Sequence, residues 1–370
     1  MTDCNFYMPV KLLTGRGCVR NGAGELAKLG RRCLIVTGSS SARKSGALDD
    51  CIAALTVNDI AYRVYDGITQ NPYLLSCAEA GREAASFGAD FLVGIGGGSP
   101  LDATKAAAVL AVNDMDPREL YKGGWEHPAL PFALIGTTAG TGSEVTAVSV
   151  LTDERTGRKK SFSHKGQTYA RVSFGDPGYT LSLPLEFTLS TALDALSHAM
   201  EGYYSALTND AADAFALLAV REVYNALRGI KPDGDISYEL RERLYYGSLY
   251  AGMTLNHCGA CFCHQFGYFL SEDYHIPHGF ACAATLPDFI LRGKRFMPEK
   301  ARALELAAGA STETVCEDIA RWNLAQLPRL APAEIDALLP RYENARHLRI
   351  SPGGFSMEEA RELFIKKFGG

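Results

Sequence analysis

The sequence lacks the features of a membrane-bound, secreted or nucleic-acid-binding protein. No apolar run approaches the roughly 18 residues that a membrane-spanning helix requires, and the first residues have no basic segment followed by an apolar one. The formal net charge is −5 and the basic clusters are small, which excludes the electrostatic footprint of a nucleic-acid-binding surface. We therefore expect a cytoplasmic protein with neither nucleic acid nor membrane among its partners.

The cysteines do not form the regular frame of a disulfide-rich domain. All ten are scattered along the chain, which is typical of a protein from a reducing compartment. Cys258, Cys261 and Cys263 lie close together beside His257 and His264, but this group lacks the second ligand pair of a usual structural zinc site. We interpret these cysteines as small buried side chains.

The first half of the chain alternates short apolar runs with helical stretches. Apolar runs at residues 33–37, 62–65 and 91–95 are separated by helical patterns, and this alternation predicts a parallel sheet with crossover helices. The chain has 370 residues, 47% of them hydrophobic, so it is long enough for two domains with well-buried cores.

The third apolar run leads into a glycine-rich turn, Gly96-Gly-Gly-Ser-Pro-Leu-Asp-Ala-Thr-Lys105. Glycines at a strand end let the backbone approach a pyrophosphate, and the amides of the following helix supply hydrogen-bond donors. The turn differs from the G-x-G-x-x-G fingerprint, and a plain strand-to-helix turn is the alternative. Three consecutive glycines exceed what a plain turn needs, so the pattern favours phosphate binding.

A second polar loop, Thr137-Thr-Ala-Gly-Thr-Gly-Ser-Glu144, follows the apolar run at residues 131–136. Its hydroxyls can line a nicotinamide and ribose, or simply form a tight solvated turn. Further along, Lys160 can reach a ribose or phosphate, or be solvated like most loop lysines.

Four residues in the second half can bind one divalent metal. Asp194 and His198 are four apart, a spacing that places both side chains on one helix face, and His264 and His278 follow later. One carboxylate with three imidazoles suits Fe²⁺ or Zn²⁺ better than Ca²⁺ or Mg²⁺. An ion-paired helix face with two structural histidines is the alternative.

Together these segments resemble the iron-containing (group III) alcohol dehydrogenases. The glycine turn, the Thr-Thr-x-x-Thr-Gly-Ser-Glu loop, Asp194-Ala-Leu-Ser-His198-Ala-Met-Glu and Pro277-His-Gly occur in the family's order over most of the chain. The resemblance implies an N-terminal α/β dinucleotide-binding domain, residues 1–182, and an all-α metal-binding domain, residues 183–370. It also implies a metal and NAD(P)H in the cleft between them.

The resemblance also implies the site residues. The metal ligands are Asp194, His198, His264 and His278, and the last two keep the family's fourteen-residue separation. The implied cofactor contacts are Gly97, Gly98, Ser99, Asp102, Thr137, Thr138 and Lys160. The implied substrate is a small alcohol or aldehyde. Because members of the family commonly form oligomers, the resemblance also implies a homodimer or higher homo-oligomer.

One departure from the family pattern concerns proton transfer. Many members carry a further histidine four residues after the third ligand, and here that position is Tyr268. A phenol, with an ordinary pKa near 10, can donate a hydrogen bond or stack but is a poor base at neutral pH. His275 is a candidate substitute as proton carrier, with a plain surface histidine as the alternative.

The second departure concerns the cofactor. After the first strand an acidic residue would hold the ribose 2′-hydroxyl of NAD, but here the chain reads Gly38-Ser39-Ser40-Ser-Ala-Arg43-Lys44. These hydroxyls and cations can accept a 2′-phosphate, so NADP(H) is favoured over NAD(H).

The predicted function is therefore metal-dependent, NAD(P)-linked alcohol oxidation or aldehyde reduction by reversible hydride transfer. A metal- and NAD-dependent cyclase or phospholyase of the dehydroquinate synthase kind is the first alternative. It would need clustered Lys and Arg near the ligands, and residues 263–287 contain none. A non-catalytic, nucleotide-binding redox sensor is the second alternative, and it leaves the four-ligand pattern without a purpose.

Overall fold

The computed structural model describes residues 4–231 and 236–370. The described residues form two compact units. The first unit comprises Met8–Leu183 together with Ile236–Tyr245, and the second holds residues 4–7, 184–231 and 246–370. The boundaries predicted above, 1–182 and 183–370, stay a prediction; in the structure, Ile236–Tyr245 belongs to the first unit.

The first unit is built on a parallel β-sheet. Its six strands lie in the order β1-β8-β5-β4-β2-β3, and all neighbouring pairs are parallel. A separate antiparallel hairpin consists of β6 and β7. The strands are β1 Lys11–Thr14, β2 Arg32–Thr37, β3 Ala61–Tyr65, β4 Phe91–Gly96, β5 Phe132–Gly136, β6 Ser149–Asp153, β7 Arg158–Phe162 and β8 Val172–Gly175.

Helices cover both faces of this sheet. They are α1 Cys18–Asn21, α2 Ala23–Ala27, α3 Ser41–Lys44, α4 Ala47–Thr56, α5 Leu74–Phe87 and α6 Gly98–Leu110, with 3-10 turns at Pro117–Tyr121, Ser143–Val145 and Pro177–Thr180. Successive strand residues point to opposite faces: Leu34 and Leu92 pack in one core with α5 and α6, and Ile35 and Val93 pack in another with α4. The predicted α/β architecture with crossover helices is confirmed.

The order in which strands join the sheet reverses between β2 and β4: β3 lies on the far side of β2, and β5 lies on the far side of β4. The helix that follows β2, α4, packs on one face of the sheet, and the helix that follows β4, α6, packs on the other. In open α/β sheets, ligands bind at the carboxyl ends of the strands where such a reversal occurs. The ends of β2 and β4 therefore lie at the position where sheets of this kind bind their ligands.

The second unit is helical, as predicted. Its helices are α7 Leu185–Tyr204, α8 Asp210–Gly229, α9 Tyr238–Cys258 in its later turns, α10 Phe262–Asp273, α11 His278–Ala283, α12 Leu286–Phe296, α13 Pro298–Ala308, α14 Thr312–Trp322, α15 Pro332–Leu338, α16 Arg346–Ile350 and α17 Met357–Phe368, with a 3-10 turn at Leu339–Tyr342. Among the described residues, none of the helices is both long and apolar enough to cross a membrane.

Candidate functional site

Three helices of the second unit bring the four predicted metal ligands together. Asp194 and His198 lie one turn apart on α7, His264 lies in the first turn of α10, and His278 is the first residue of α11. The oxygen Oδ1 of Asp194 lies 3.4 Å from Nε2 of His264, 3.8 Å from Nε2 of His198 and 3.9 Å from Nε2 of His278. The four side chains thus converge on one point.

Gly279 lets α11 approach α7 at this point. A Cβ atom on Gly279 would overlap the backbone carbonyl of Ser190 and would lie 3.1 Å from the backbone nitrogen of Asp194. The absence of a side chain therefore allows the neighbouring His278 to reach Asp194. In the Pro277-His-Gly motif, the glycine therefore allows close helix packing and the histidine is a candidate ligand.

Glu201, a residue that the sequence analysis did not single out, fixes the orientation of His264. Its Oε1 accepts backbone N–H bonds from Cys261 at 3.0 Å, Cys263 at 2.8 Å and His264 at 3.3 Å. Its Oε2 contacts Nδ1 of His264. A carboxylate on one ring nitrogen holds the proton there and leaves the other nitrogen to bind a metal. The spacing of Glu201, seven residues after Asp194 on the same helix face, was the signal that could have revealed it.

The electrostatics of the cluster favour a cation. Burial alone would raise the pKa of Asp194, but His198, His264 and His278 outweigh it and hold that pKa well below its usual value. Burial lowers the pKa of His264, but Cys282, Glu201 and Asp194 outweigh it and raise that pKa well above its usual value. The site therefore keeps an ionised carboxylate inside the protein.

The donor atoms fit a divalent metal of the first transition row. Among the described residues, Asp194 Oδ1 and His264 Nε2 are buried and have no hydrogen-bond partner, although they face one another. Buried polar atoms without such partners are costly unless a ligand or ion satisfies them. A carboxylate oxygen with imidazole nitrogens is a donor set that Fe²⁺ and Zn²⁺ accept.

Cys282 also lies in this cluster and was not predicted from the sequence. Donor atoms of Asp194, His264, His278 and Cys282 all lie within 4.8 Å of one another. Cys282 is four residues after His278 on α11, the same spacing that links Asp194 and His198. That spacing was the available signal.

The two residues predicted for proton transfer occupy different environments. The ring of Tyr268 is parallel to that of His278, with a centroid distance of 5.9 Å, and burial raises the pKa of the phenol to about 12. His275 is exposed and has a left-handed backbone, with φ of 57°. Tyr268 therefore lies beside the metal cluster, and His275 lies in the segment between α10 and α11.

The predicted cofactor residues gather at the carboxyl edge of the parallel sheet. Gly38, Ser39 and Ser40 follow β2, Gly97 follows β4, and Thr137 follows β5; these three strands are neighbours. The loops are tied together because the backbone N–H of Thr137 donates to the carbonyl of Gly96 at 2.9 Å. The sequence prediction thus selected three loops that the fold places side by side.

The glycine turn packs directly on the second polar loop. A Cβ on Gly97 would lie 3.0 Å from Cγ2 of Thr138, and one on Gly98 would lie 2.6 Å from Cγ2 of Thr141. Helix α6 begins at Gly98. The backbone N–H groups of its first turn are therefore available at this glycine turn to donate hydrogen bonds to an anion. The glycines are needed for this loop packing as well as for a phosphate.

Ser99 and Asp102 both have protein partners. Ser99 Oγ accepts the backbone N–H of Asn71 at 3.2 Å. The oxygens of Asp102 accept bonds from Ser143 Oγ at 2.6 Å and the backbone N–H of Val150 at 2.8 Å, and the ammonium of Lys105 lies 3.3 Å away. Asp102 thereby joins α6 to the loop after β5.

Lys160 lies in a strand, although the sequence suggested a loop. It is an exposed residue of β7, and its ammonium lies over the ring of Tyr121, 4.6 Å from the ring centre. A cation held over an aromatic face is partly ordered before any ligand arrives.

Family models match a large part of each half of the chain. A family model for iron-containing alcohol dehydrogenase matches residues 9–177, and a model for the C-terminal part of the Fe-containing alcohol dehydrogenase family matches residues 188–328. The sulfoacetaldehyde reductase of Bilophila wadsworthia is 36% identical over 284 residues, which cover 76% of this chain and 72% of that protein.

Two solved structures have the same fold. An iron-containing alcohol dehydrogenase from Thermotoga maritima superposes with a TM-score of 0.90 at 34% identity, covering 99% of each chain. A sulfoacetaldehyde reductase from Bifidobacterium kashiwanohense, solved in complex with NAD⁺, superposes with a TM-score of 0.88 at 26% identity, again over 99% of each chain.

Proposed function

This chain belongs to the iron-containing alcohol dehydrogenase family and is an NAD-linked oxidoreductase of alcohols and aldehydes, and we propose that its metal is held by Asp194, His198, His264 and His278. The observation that carries this assignment is the convergence of three imidazole nitrogens within 3.9 Å of one carboxylate oxygen. Ligand atoms around a tetrahedral ion with bonds near 2.0–2.1 Å stand about 3.3–3.5 Å apart, so small movements would close the shell around Fe²⁺ or Zn²⁺.

The metal and the nicotinamide would supply two kinds of chemistry when bound. A divalent metal provides Lewis acidity for the oxygen of the alcohol or aldehyde, and the nicotinamide provides hydride exchange at its C4 carbon. The chain's own residues then have to orient these groups and handle the proton. Glu201 keeps His264 in the ligating tautomer, and Gly279 lets His278 approach Asp194.

Proton transfer needs no strong base at the cluster. Because burial raises the pKa of Tyr268 to about 12, its phenol keeps its proton at neutral pH and acts as a hydrogen-bond donor or a stacking partner of His278. We assign the proton carrier to His275, whose exposure allows exchange with solvent.

The loops at the carboxyl edge of the sheet form the proposed dinucleotide site. Gly97, Gly98 and the first amides of α6 would hold the pyrophosphate, with Ser99 beside them. The remaining proposed contacts are Gly38, Ser39, Ser40, Asp102, Thr137, Thr138 and Lys160. In this arrangement Asp102 acts by tying α6 to the loop after β5, since its oxygens already accept protein hydrogen bonds.

The segment after β2 supports a preference for NADP(H). Ser39, Ser40, Arg43 and Lys44 are all exposed at or just beyond the end of β2, and the segment 38–46 contains no carboxylate. Hydroxyls and cations there can bind a 2′-phosphate, which a carboxylate would repel.

The metal assignment is tested by replacing His264 or His278 with alanine. Each variant should lose bound metal and turnover but keep its affinity for the dinucleotide, because the proposed dinucleotide contacts lie in the other unit. The matched control is His127→Ala, an exposed histidine of the first unit, which should retain all three properties. Full turnover of His264→Ala after chelation would refute the metal assignment.

The cofactor assignment is tested by kcat/KM with NADH and NADPH on one aldehyde. Arg43→Ala should lower kcat/KM for NADPH by about tenfold, as expected when one charge-assisted hydrogen bond of about 1.5 kcal/mol is lost, and should leave NADH almost unchanged. Lys28→Ala, an exposed lysine before β2, is the control. A strong NADH preference in the wild-type protein would contradict the proposal.

The substrate is proposed only as a class, namely a short aldehyde and its primary alcohol. A panel of metal-reconstituted assays should include plain aldehydes, hydroxyaldehydes and a sulfonated aldehyde, because one relative is a sulfoacetaldehyde reductase. We further propose a cytoplasmic homodimer or higher homo-oligomer. All ten cysteines are free thiols, nine of them buried, as suits a reducing compartment.

A further inference from the structure

Two buried polar side chains of the first unit, Glu144 and Tyr245, form a hydrogen-bonded pair that the chemistry described above does not use. Glu144 is 2% exposed and Tyr245 is fully buried. The phenol of Tyr245 donates to Oε1 of Glu144 at 2.9 Å, and its oxygen lies 3.4 Å from the carbonyl oxygen of Gly136. Tyr245 belongs to the stretch Ile236–Tyr245 that packs in this unit.

Two glycines at the carboxyl edge of the sheet make room for the pair. Gly136 is the last residue of β5, Gly175 is the last residue of β8, and the two are partners in the parallel ladder. A Cβ on Gly136 would overlap Oε1 of Glu144 and the hydroxyl of Tyr245, and one on Gly175 would lie 2.7 Å from Cε1 of Tyr245. Any larger residue at these strand ends would therefore displace the pair.

The pair lies at the end of the polar loop that runs from Thr137 to Glu144. The loop starts at a sheet contact, since the backbone N–H of Thr137 donates to the carbonyl of Gly96 at 2.9 Å. At its other end, the backbone carbonyl of Glu144 accepts a hydrogen bond from Ser173 Oγ on β8 at 2.7 Å. Tyr245 holds the side chain of the same residue, so both the backbone and the carboxyl of Glu144 anchor this end.

We propose that Glu144 and Tyr245 are positioning residues for the nicotinamide half of the cofactor, because their hydrogen bond fixes the loop that carries Thr137 and Thr138. The inference rests on the proposed dinucleotide site and adds two residues to it. Since both side chains are buried, they act through the loop.

The charges around the pair fix which group donates. Burial and the carboxyl of Glu144 raise the pKa of Tyr245 well above its usual value, so the phenol keeps its proton and is the donor. Burial raises the pKa of Glu144 by more than its hydrogen bonds and Lys105 lower it. A buried carboxyl that loses its donor is destabilised, and the loop that ends in this carboxyl then has a reason to move.

Movement of this loop should affect one end of the cofactor more than the other. The proposed pyrophosphate donors are backbone amides of Gly97, Gly98 and the first turn of α6, which do not belong to the loop. The hydroxyls of Thr137 and Thr138 are the groups expected at the nicotinamide and its ribose. Hydride transfer depends closely on where the nicotinamide C4 lies, so kcat should respond together with cofactor affinity.

The test compares the whole cofactor with a fragment of it, using metal-loaded, full-length Tyr245→Phe. Calorimetry measures the affinity for NADPH and for 2′-phospho-ADP-ribose, which lacks the nicotinamide; NADH and ADP-ribose replace them if wild-type protein prefers NADH. The affinity for NADPH and the kcat at saturating cofactor should each fall about tenfold, as expected for one hydrogen bond to a charged group. The affinity for the fragment should stay within about twofold of wild type.

Tyr224→Phe is the matched control. Its phenol donates to Oδ2 of Asp318 at 2.6 Å, and both residues are buried in the second unit. This variant also loses a buried phenol–carboxyl bond, so its melting temperature should fall as in Tyr245→Phe, but both affinities and kcat should match wild type.

A double-mutant cycle tests whether the two residues act as a pair. Glu144→Ala should lower NADPH affinity at least as much as Tyr245→Phe, and adding Tyr245→Phe to it should cause no further loss, because groups in contact are not additive. Circular dichroism melts establish which variants are folded. If Glu144→Ala does not fold, Tyr245→Phe alone decides the outcome.

The outcomes separate this inference from the proposed function. If folded Tyr245→Phe keeps wild-type NADPH affinity and kcat, or loses affinity for the fragment and the whole cofactor equally, the positioning role is refuted and the dinucleotide site stands. If wild-type protein binds neither dinucleotide, the proposed function fails and the inference fails with it.

Discussion

Replacing Glu201 with glutamine tests how the metal cluster is oriented. Glu201 is fully buried, and its Oε1 accepts three backbone N–H bonds at the start of α10 while Oε2 meets Nδ1 of His264. Glutamine has the same shape, and its carbonyl can keep the three backbone bonds. Its amide NH₂ then faces Nδ1, which must act as an acceptor, so the proton moves to Nε2, the nitrogen that faces Asp194.

The expected loss can be estimated from these contacts. A histidine whose Nε2 carries a proton cannot ligate, so metal binding requires the glutamine amide and the imidazole to rearrange. Changes to such supporting groups cost about 10- to 100-fold in metal affinity, or roughly 1.4–2.7 kcal/mol. We expect the dissociation constant of Zn²⁺ to rise by this factor.

Glutamine is a better choice than alanine at this position. Glu201→Ala would leave three backbone N–H groups buried without acceptors, at about 1–3 kcal/mol each, and would confuse loss of folding with loss of metal. The glutamine variant should melt close to wild type.

The assay is competition with a chromogenic chelator, followed by kcat/KM at saturating metal. Glu358→Gln changes an exposed glutamate in the first turn of α17 and should leave metal affinity unchanged. If Glu201→Gln is folded and its metal affinity stays within about twofold of wild type, Glu201 does not orient His264 and the reasoning is refuted.

Two further changes test the packing and the proton path. Gly279→Ala places a Cβ against the carbonyl of Ser190, so we expect the free energy of unfolding to fall by about 1–3 kcal/mol and the metal content to drop. Denaturant unfolding and elemental analysis measure these two quantities. A variant with unchanged stability and metal content would contradict the close approach of α11 to α7. Tyr268→Phe should leave the pH profile of kcat/KM unchanged across neutral pH, because a phenol with a pKa of about 12 is protonated throughout that range. A shift in an apparent pKa of that profile would show that the phenol titrates during turnover.

Local patterns in the sequence predicted the architecture and the main site residues. The alternation of apolar runs and helical stretches gave the α/β unit because strand and helix periods are local properties. The glycine turn and the polar loop marked two strand ends, and the sheet order then placed them side by side. The Asp194–His198 pair was predictable because residues four apart on a helix share a face.

Other features could not be predicted because they join distant segments. Lys160 was expected in a loop, and it lies in β7 because pairing with β6 forms a hairpin. Asp102 was expected to contact the cofactor, and the fold also commits its oxygens to Ser143 and Val150. Such partners depend on which side chains meet after the chain has folded.

By itself, the sequence determined the residue types and spacings that make a metal and a dinucleotide chemically possible in this protein. Only the tertiary structure decided that Asp194 and three histidines from α7, α10 and α11 converge, that Glu201 orients one of them and that Cys282 lies beside them. The physical reason is that a spacing along the chain fixes neighbours within one helix, whereas contacts between helices are fixed by packing, here by the missing side chain at Gly279.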